Sequence, residues 1–145
     1  MIPSDETPID ETSAAGAHAA HDRWFGELNQ PDFEIDFYER ILHGQPNDVR
    51  LLRLLGELYA RRGFHERSAQ IDQKLLELTP EDGAVHYNLA CSLAMQGAYF
   101  QAIETLGRAL QCGYNDYGHL EVDPDLESLR RLPQYHALLK QFGLS

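Results

Sequence analysis

Two histidines, His18 and His21, stand three residues apart in HAAHD with Asp22 beside them, a spacing that brings two imidazoles to one helix face as zinc ligands require. The glutamate of an HExxH base is missing and no third ligand follows, so no metal site is assigned there. The run EVDPDLE sets carboxylates at Glu121, Asp123, Asp125 and Glu127, which invites calcium. It lacks the glycine and the frame of an EF-hand loop, and Asp123 before Pro124 reads instead as the cap of a helix starting at the proline. Cys91 and Cys112 form no CxxC and read as small apolar side chains in a reducing compartment. The phosphate-cradling GxGxxG and GxxxxGKS patterns and the GxSxG nucleophile elbow are all absent from the sequence. No catalytic residue, metal ligand or cofactor is assigned, and the chain is expected not to be an enzyme. A metal-dependent activity at His18 and His21 is the least favoured alternative.

The chemistry that remains is recognition. Arg50, Arg53, Glu57 and Arg61 recur at steps of three and four, which lines them up as one polar stripe on a helix. Thirty-odd residues on, Tyr87, Asn88, Cys91 and Met95 offer an aromatic, an amide and two soft apolar side chains at similar steps. Arginines can hold carboxylates bidentately, and the second group can take an apolar anchor. The competing reading is a solvated face in which Arg50, Arg53 and Glu57 pair along the helix for a few tenths of a kcal/mol each, about 0.2–0.5 per pair.

Elements must position these groups. The 145 residues, 43% apolar and 24% charged, suit one domain with one modest core. The formal charge is −11, a field that repels a phosphate backbone, so nucleic acid is not expected as a partner. Residues 1–48 carry eleven acids against two bases, 49–113 seven against seven, and 114–145 five against three. The arginine stripe is thus a local positive island. Residues 1–16, acidic and poor in anything to bury, are expected to be a flexible tail. No apolar run nears the ~18 residues of a membrane span, and the acidic start is unlike a secretory leader. A cytoplasmic protein with no membrane partner is expected.

The sequence repeats itself at a spacing of thirty-four: Pro46 and Pro80, Leu55 and Leu89, Gly63 and Gly97, Ser68 and Ala102, Leu76 and Leu110. Leu51, Leu52, Leu55, Leu58 and Tyr59 trace one apolar helical face, as do Ile71, Leu75, Leu76 and Leu78 on a second helix. Ala102, Ile103, Leu106, Ala109 and Leu110 do the same. Gly63 and Gly97 can turn one helix into the next, and Pro46 and Pro80 can end the second helix of a unit. The predicted unit is helix, glycine turn, helix, proline stop.

The stretch HYNLACSLAMQGAYFQAIETLGRAL resembles the tetratricopeptide repeat family through Leu89, Ala90, Leu93, Gly97, Tyr99, Ala102, Leu106 and Ala109. LRLLGELYARRGFHERSAQIDQKLLELTP matches it through Leu52, Leu55, Gly56 and Tyr59. Its second helix departs from the pattern, with Ser68 for alanine and Asp72 where a large apolar residue belongs, so looser or shifted packing is expected there. The tail NDYGHLEVDPDLESLRRLPQYHALLKQF is similar to a GY…DPDL..LR..P closing segment of bacterial repeat proteins of this family. The resemblance covers residues 31–113, with the tail as a cap.

The resemblance implies an all-α, right-handed solenoid of helical hairpins: an atypical amino-terminal unit at 17–48, repeats at 49–82 and 83–116, and a short helical cap at 117–145. It also implies that the first helix of each unit lines a concave groove, which places Arg50, Arg53, Glu57, Arg61, Tyr87, Asn88, Cys91 and Met95 on the binding surface. Glu57 stands where a chaperone-tail carboxylate clamp would want an amide, so that refinement is set aside. The expected function is a non-catalytic adaptor or co-chaperone-like module that binds a peptide or protein segment, an acidic one if the arginines select it, as a monomer or weak homodimer. The alternative is a self-associating scaffold using Trp24, Phe25, Phe33 and Phe37.

Overall fold

Periodic leucines and repeated cap residues give a chain whose described secondary structure is all helical, joined by short turns. The computed structural model describes residues 30–144. Among them are seven α-helices and no strand: α1 (Gln30–Gly44), α2 (Val49–Arg61), α3 (His65–Leu78), α4 (Gly83–Met95), α5 (Tyr99–Gln111), α6 (Tyr117–Val122) and α7 (Pro133–Gln141). Two 3-10 turns, Pro124–Leu126 and Leu129–Arg131, lie between α6 and α7. By its contacts the chain falls into two units, Met1–Phe37 and Tyr38–Ser145, and α2 to α7 belong to the second. The expected tail at 1–16, His18, His21, Asp22, Trp24 and Phe25 lie outside the described residues. No helix among the described residues is long and apolar enough to cross a membrane.

The spacing of thirty-four reappears as matched helix ends. Asp48 caps α2 by accepting the Leu51 amide at 3.1 Å, and Asp82 caps α4 by accepting those of Ala84 and Val85 at 3.1 and 3.3 Å. Each of these helices ends at a glycine of positive φ, +82° at Gly63 and +84° at Gly97. The amides that follow close back over the turn, Phe64 to Tyr59 and Ala98 to Leu93, at 2.8 and 2.9 Å. A side chain at either glycine would strain this left-handed closure. The three-residue turn then returns the chain as α3 or α5.

Packing follows chain order: α2 lies on α3, α3 on α4, and α4 on α5. Leu52, Leu75 and Val85 form one buried cluster, with Leu42, Val49, Ile71 and Leu76 packed around it. The approach of α2 to α3 is close rather than loose. The Ser68 hydroxyl donates to the Gly56 carbonyl at 3.1 Å, and a Cβ on Gly56 would stand 3.1 Å from Asp72 Oδ1 and 3.3 Å from Ile71 Cγ2. Of the looser or shifted packing expected in this helix, the looser form is corrected: small Gly56 and Ser68 admit the second helix closely, and the misfit is electrical, Asp72 itself being buried.

α4 is enclosed on nearly every side, with Val85, Tyr87, Leu89, Ala90, Cys91 and Ala94 all buried. Its partners beyond α3 and α5 come from the carboxy-terminal segment, whose Leu120, Leu126, Leu129, Tyr135 and Leu139 join Tyr87, Ala90, Cys91, Leu106 and Ala109 in the main core cluster. The helix expected to run from Pro124 is only a three-residue turn. Leu126 and Leu129 are fully buried in the same cluster, with Leu132 packed against it. A run of every third residue suits 3-10 geometry, in which i and i+3 eclipse. Pro133 does begin α7 at its first turn.

Candidate functional site

Four pieces of chain surround a cleft of 340 Å³. Gly56, Glu57, Ala60 and Arg61 come from α2, and His65, Ser68 and Asp72 from α3; Tyr87, Asn88, Cys91 and Ser92 come from α4, and His119, Asp123, Pro124 and Asp125 from the segment that crosses α4. A larger hollow of 480 Å³ between α5 and α7 is lined by residues such as Ile103, Gly107 and Leu138 around an exposed Glu104–Arg108 pair. It gathers no comparable set of titratable groups.

The centre of the cleft is the Asp123 carboxylate. Its Oδ2 accepts the Tyr87 hydroxyl at 2.6 Å, faces Cys91 Sγ at 3.6 Å and lies 3.1 Å from His119 Nε2. Its Oδ1 accepts the Asp125 amide at 3.0 Å, which is the capping role read from the sequence. The backbone at Asp123 is pinned as well, since Arg130 donates to its carbonyl and to that of Leu120, each at 2.8 Å. The Tyr87 ring stacks on Tyr114 with centroids 4.2 Å apart, and the His119 ring leans on it at 5.8 Å. A buried carboxylate with this many donors is well held.

Burial, then the hydrogen bond to Asp123, pushes the Tyr87 hydroxyl far above its ordinary range. Burial, then the charges of Asp123 and Asp125, does the same to the Cys91 thiol. Asp125 is raised by burial and by Asp123, with His65 and His119 pulling the other way. Asp72 has no such help. It is 3% exposed, its Oδ2 has no hydrogen-bond partner among the described residues, and burial alone raises it from 3.8 to about 7.

Of the residues expected on the binding surface, Glu57, Arg61, Tyr87, Asn88 and Cys91 line this cleft, whereas Arg50, Arg53 and Met95 do not. The arginine stripe is largely engaged. Arg53 pairs with Asp82 at 2.5 Å, so it ties α2 to the cap of α4, and Arg61 pairs with Glu57 one turn back at 3.4 Å. Tyr87 and Cys91 are buried in the core rather than offered to an apolar anchor. Asn88 is exposed and Met95 is 47% exposed.

The sequence reading missed Asp72, His119 and Tyr114 as members of the site, and took Asp123 and Asp125 as caps only. The meeting of α4 with residues 119–125 is non-local and falls where the spacing of thirty-four breaks down, so no register linked them. The one available signal was Asp72, a charge on an apolar helical face.

No protein-family model matches the chain. Over 93 residues it is 33% identical to a chloroplastic protein from Arabidopsis thaliana, a match that takes in 62% of this chain and 28% of that protein. The chain therefore spans less than a third of the curated relative it matches.

Proposed function

We propose that this chain is a tetratricopeptide-type repeat module, a right-handed hairpin solenoid with a helical cap, that binds a protein segment without catalysing a reaction. The observation that carries the reading is the cleft lined by the leading helices of both hairpins, α2 and α4. Matched caps at Asp48 and Asp82, and matched glycine turns at Gly63 and Gly97, support the repeat assignment. An accessible hollow between stacked hairpins is the surface such modules offer to an extended or helical segment.

The ion pairs of Arg53 and Arg61 argue against carboxylate capture as the main attraction. Exposed Asn88 offers both a donor and an acceptor to an extended backbone, and the Glu57–Arg61 pair beside it offers one of each sign. The two free thiols, Cys91 and Cys112, fit a reducing setting such as the cytoplasm.

The test is a steric block at the rim. Asn88→Trp adds bulk at an exposed position and should abolish binding of a partner segment recovered by photo-crosslinking from Ala60, with an unchanged circular dichroism spectrum. Equal crosslinking in wild type and variant refutes the groove.

A second reading, self-association, draws on Phe33 and Phe37, which are 58% and 50% exposed. Light scattering separates the two: a monomer across the accessible concentration range rules out the scaffold.

A further inference from the structure

The floor of the cleft brings together donors of three chemical kinds from two distant parts of the chain. Cys91 Sγ, an oxygen of Asp123 and an oxygen of Asp125 all lie within 4.8 Å of one another. His119 Nε2 is 3.1 Å from Asp123 Oδ2, and its side chain, 50% exposed, lines the same cleft. Independently, Asp72 lines the same cleft, and its buried Oδ2 has no hydrogen-bond partner among the described residues. A buried carboxyl with no partner, lining the cleft that also holds a cluster of ligand atoms, favours a cation there.

We propose that this floor binds one divalent ion of the zinc class, with Cys91, Asp123 and Asp125 as ligands and His119 completing the set. Tetrahedral zinc with bonds of ~2.0–2.3 Å places its donors ~3.3–3.8 Å apart. Closing the cluster to that size requires side-chain rotation at half-buried Asp125 and half-exposed His119. A sulfur, an imidazole nitrogen and carboxylate oxygens select zinc or cobalt over calcium and magnesium, which favour all-oxygen shells. On binding, the Cys91 thiol loses its proton to solvent and the thiolate sulfur bonds the ion. Tyr87 keeps its hydrogen bond to Asp123 and becomes the outer partner that orients that ligand. The ion would staple residues 119–125 to α4. None of this depends on the peptide reading, and its test contains no peptide.

The full chain, stripped with EDTA, is titrated with zinc chloride by calorimetry and with cobalt chloride by absorption. The expected result is one ion per chain, one proton released from the thiol, and a thiolate-to-cobalt charge-transfer band. Cys91→Ser should abolish the band, and Cys91→Ser and Asp125→Asn should each weaken zinc at least ~10-fold, the lower end of what loss of even an outer partner does. Asp125→Asn changes a half-buried residue and keeps the test valid if the serine variant folds poorly. His18→Ala with His21→Ala should leave binding unchanged. The proposal is overturned if no stoichiometric ion binds, if the cobalt complex lacks the thiolate band, or if binding survives both cleft variants and disappears in the double histidine variant.

Discussion

Replacing Asp72 by asparagine should remove a pH dependence of stability that the wild-type chain carries from about pH 4 to about pH 7. In the unfolded chain this carboxyl titrates at its ordinary 3.8; in the folded chain burial moves it to about 7. Between those values the native state holds more protons than the unfolded state. Raising the pH therefore favours unfolding across that window, and the loss levels off above the folded value. At about 1.4 kcal/mol for each factor of ten in proton affinity, the full loss is about 4 kcal/mol. An amide of the same shape carries no charge to desolvate but leaves a polar group unpaired in the same place, a penalty of about 1–3 kcal/mol at every pH. The variant should thus be more stable than wild type by about 1–3 kcal/mol near pH 8 and less stable near pH 4.5. Urea unfolding of both proteins, followed by circular dichroism in EDTA at several pH values, measures the difference directly. The other carboxylates and the seven histidines cancel in that difference. Stability curves that run parallel from pH 4.5 to 8, with no crossing, would refute the claim that Asp72 is ionised at a cost inside the fold.

Two glycines should respond oppositely to alanine. A Cβ on Gly83 would stand 3.0 Å from the Tyr114 amide and 3.1 Å from the Ala109 carbonyl, both backbone, so Gly83→Ala should destabilise by about 1–3 kcal/mol. On Gly107 it meets only Leu138 Cδ1, at 3.3 Å, and the helix gains up to about 1 kcal/mol from alanine; thermal melts should show neutral to higher stability. Tyr87→Phe removes the hydroxyl that Asp123 accepts and should destabilise by about 1–3 kcal/mol in urea, with the stack on Tyr114 retained.

The helical character of this chain, its hairpin turns and much of its core were open to reading because they rest on local rules. Gly63 and Gly97 had to end helices, Asp48 and Asp82 sat where caps belong, and Leu52, Leu55, Leu75 and Leu106 fell on apolar faces that the structure buries. The site was less legible. Tyr87 and Cys91 had the right helical step for a groove face, yet whether that face meets solvent or the carboxy-terminal segment depends on contacts 32 to 36 residues away along the chain. Arg53 was read as part of a ligand-binding stripe, and Asp82 was not singled out; their pairing across 29 residues is what removes Arg53 from ligand capture. Asp72 was recognised as a misfit, and the fold turned out to keep the backbone fit and tolerate the charge.

The two cysteines are unequal in reach. Cys112 sits at a helix end beside Glu81, whereas Cys91 is buried on the floor of the cleft with its sulfur against Asp123. An alkylating reagent that enters the cleft meets a thiol that burial and the neighbouring carboxylates hold protonated, so Cys91 should react slowly. Its modification rate, with Cys112 as the internal standard, therefore reports how firmly the carboxylates of the cleft hold that thiol in its protonated form.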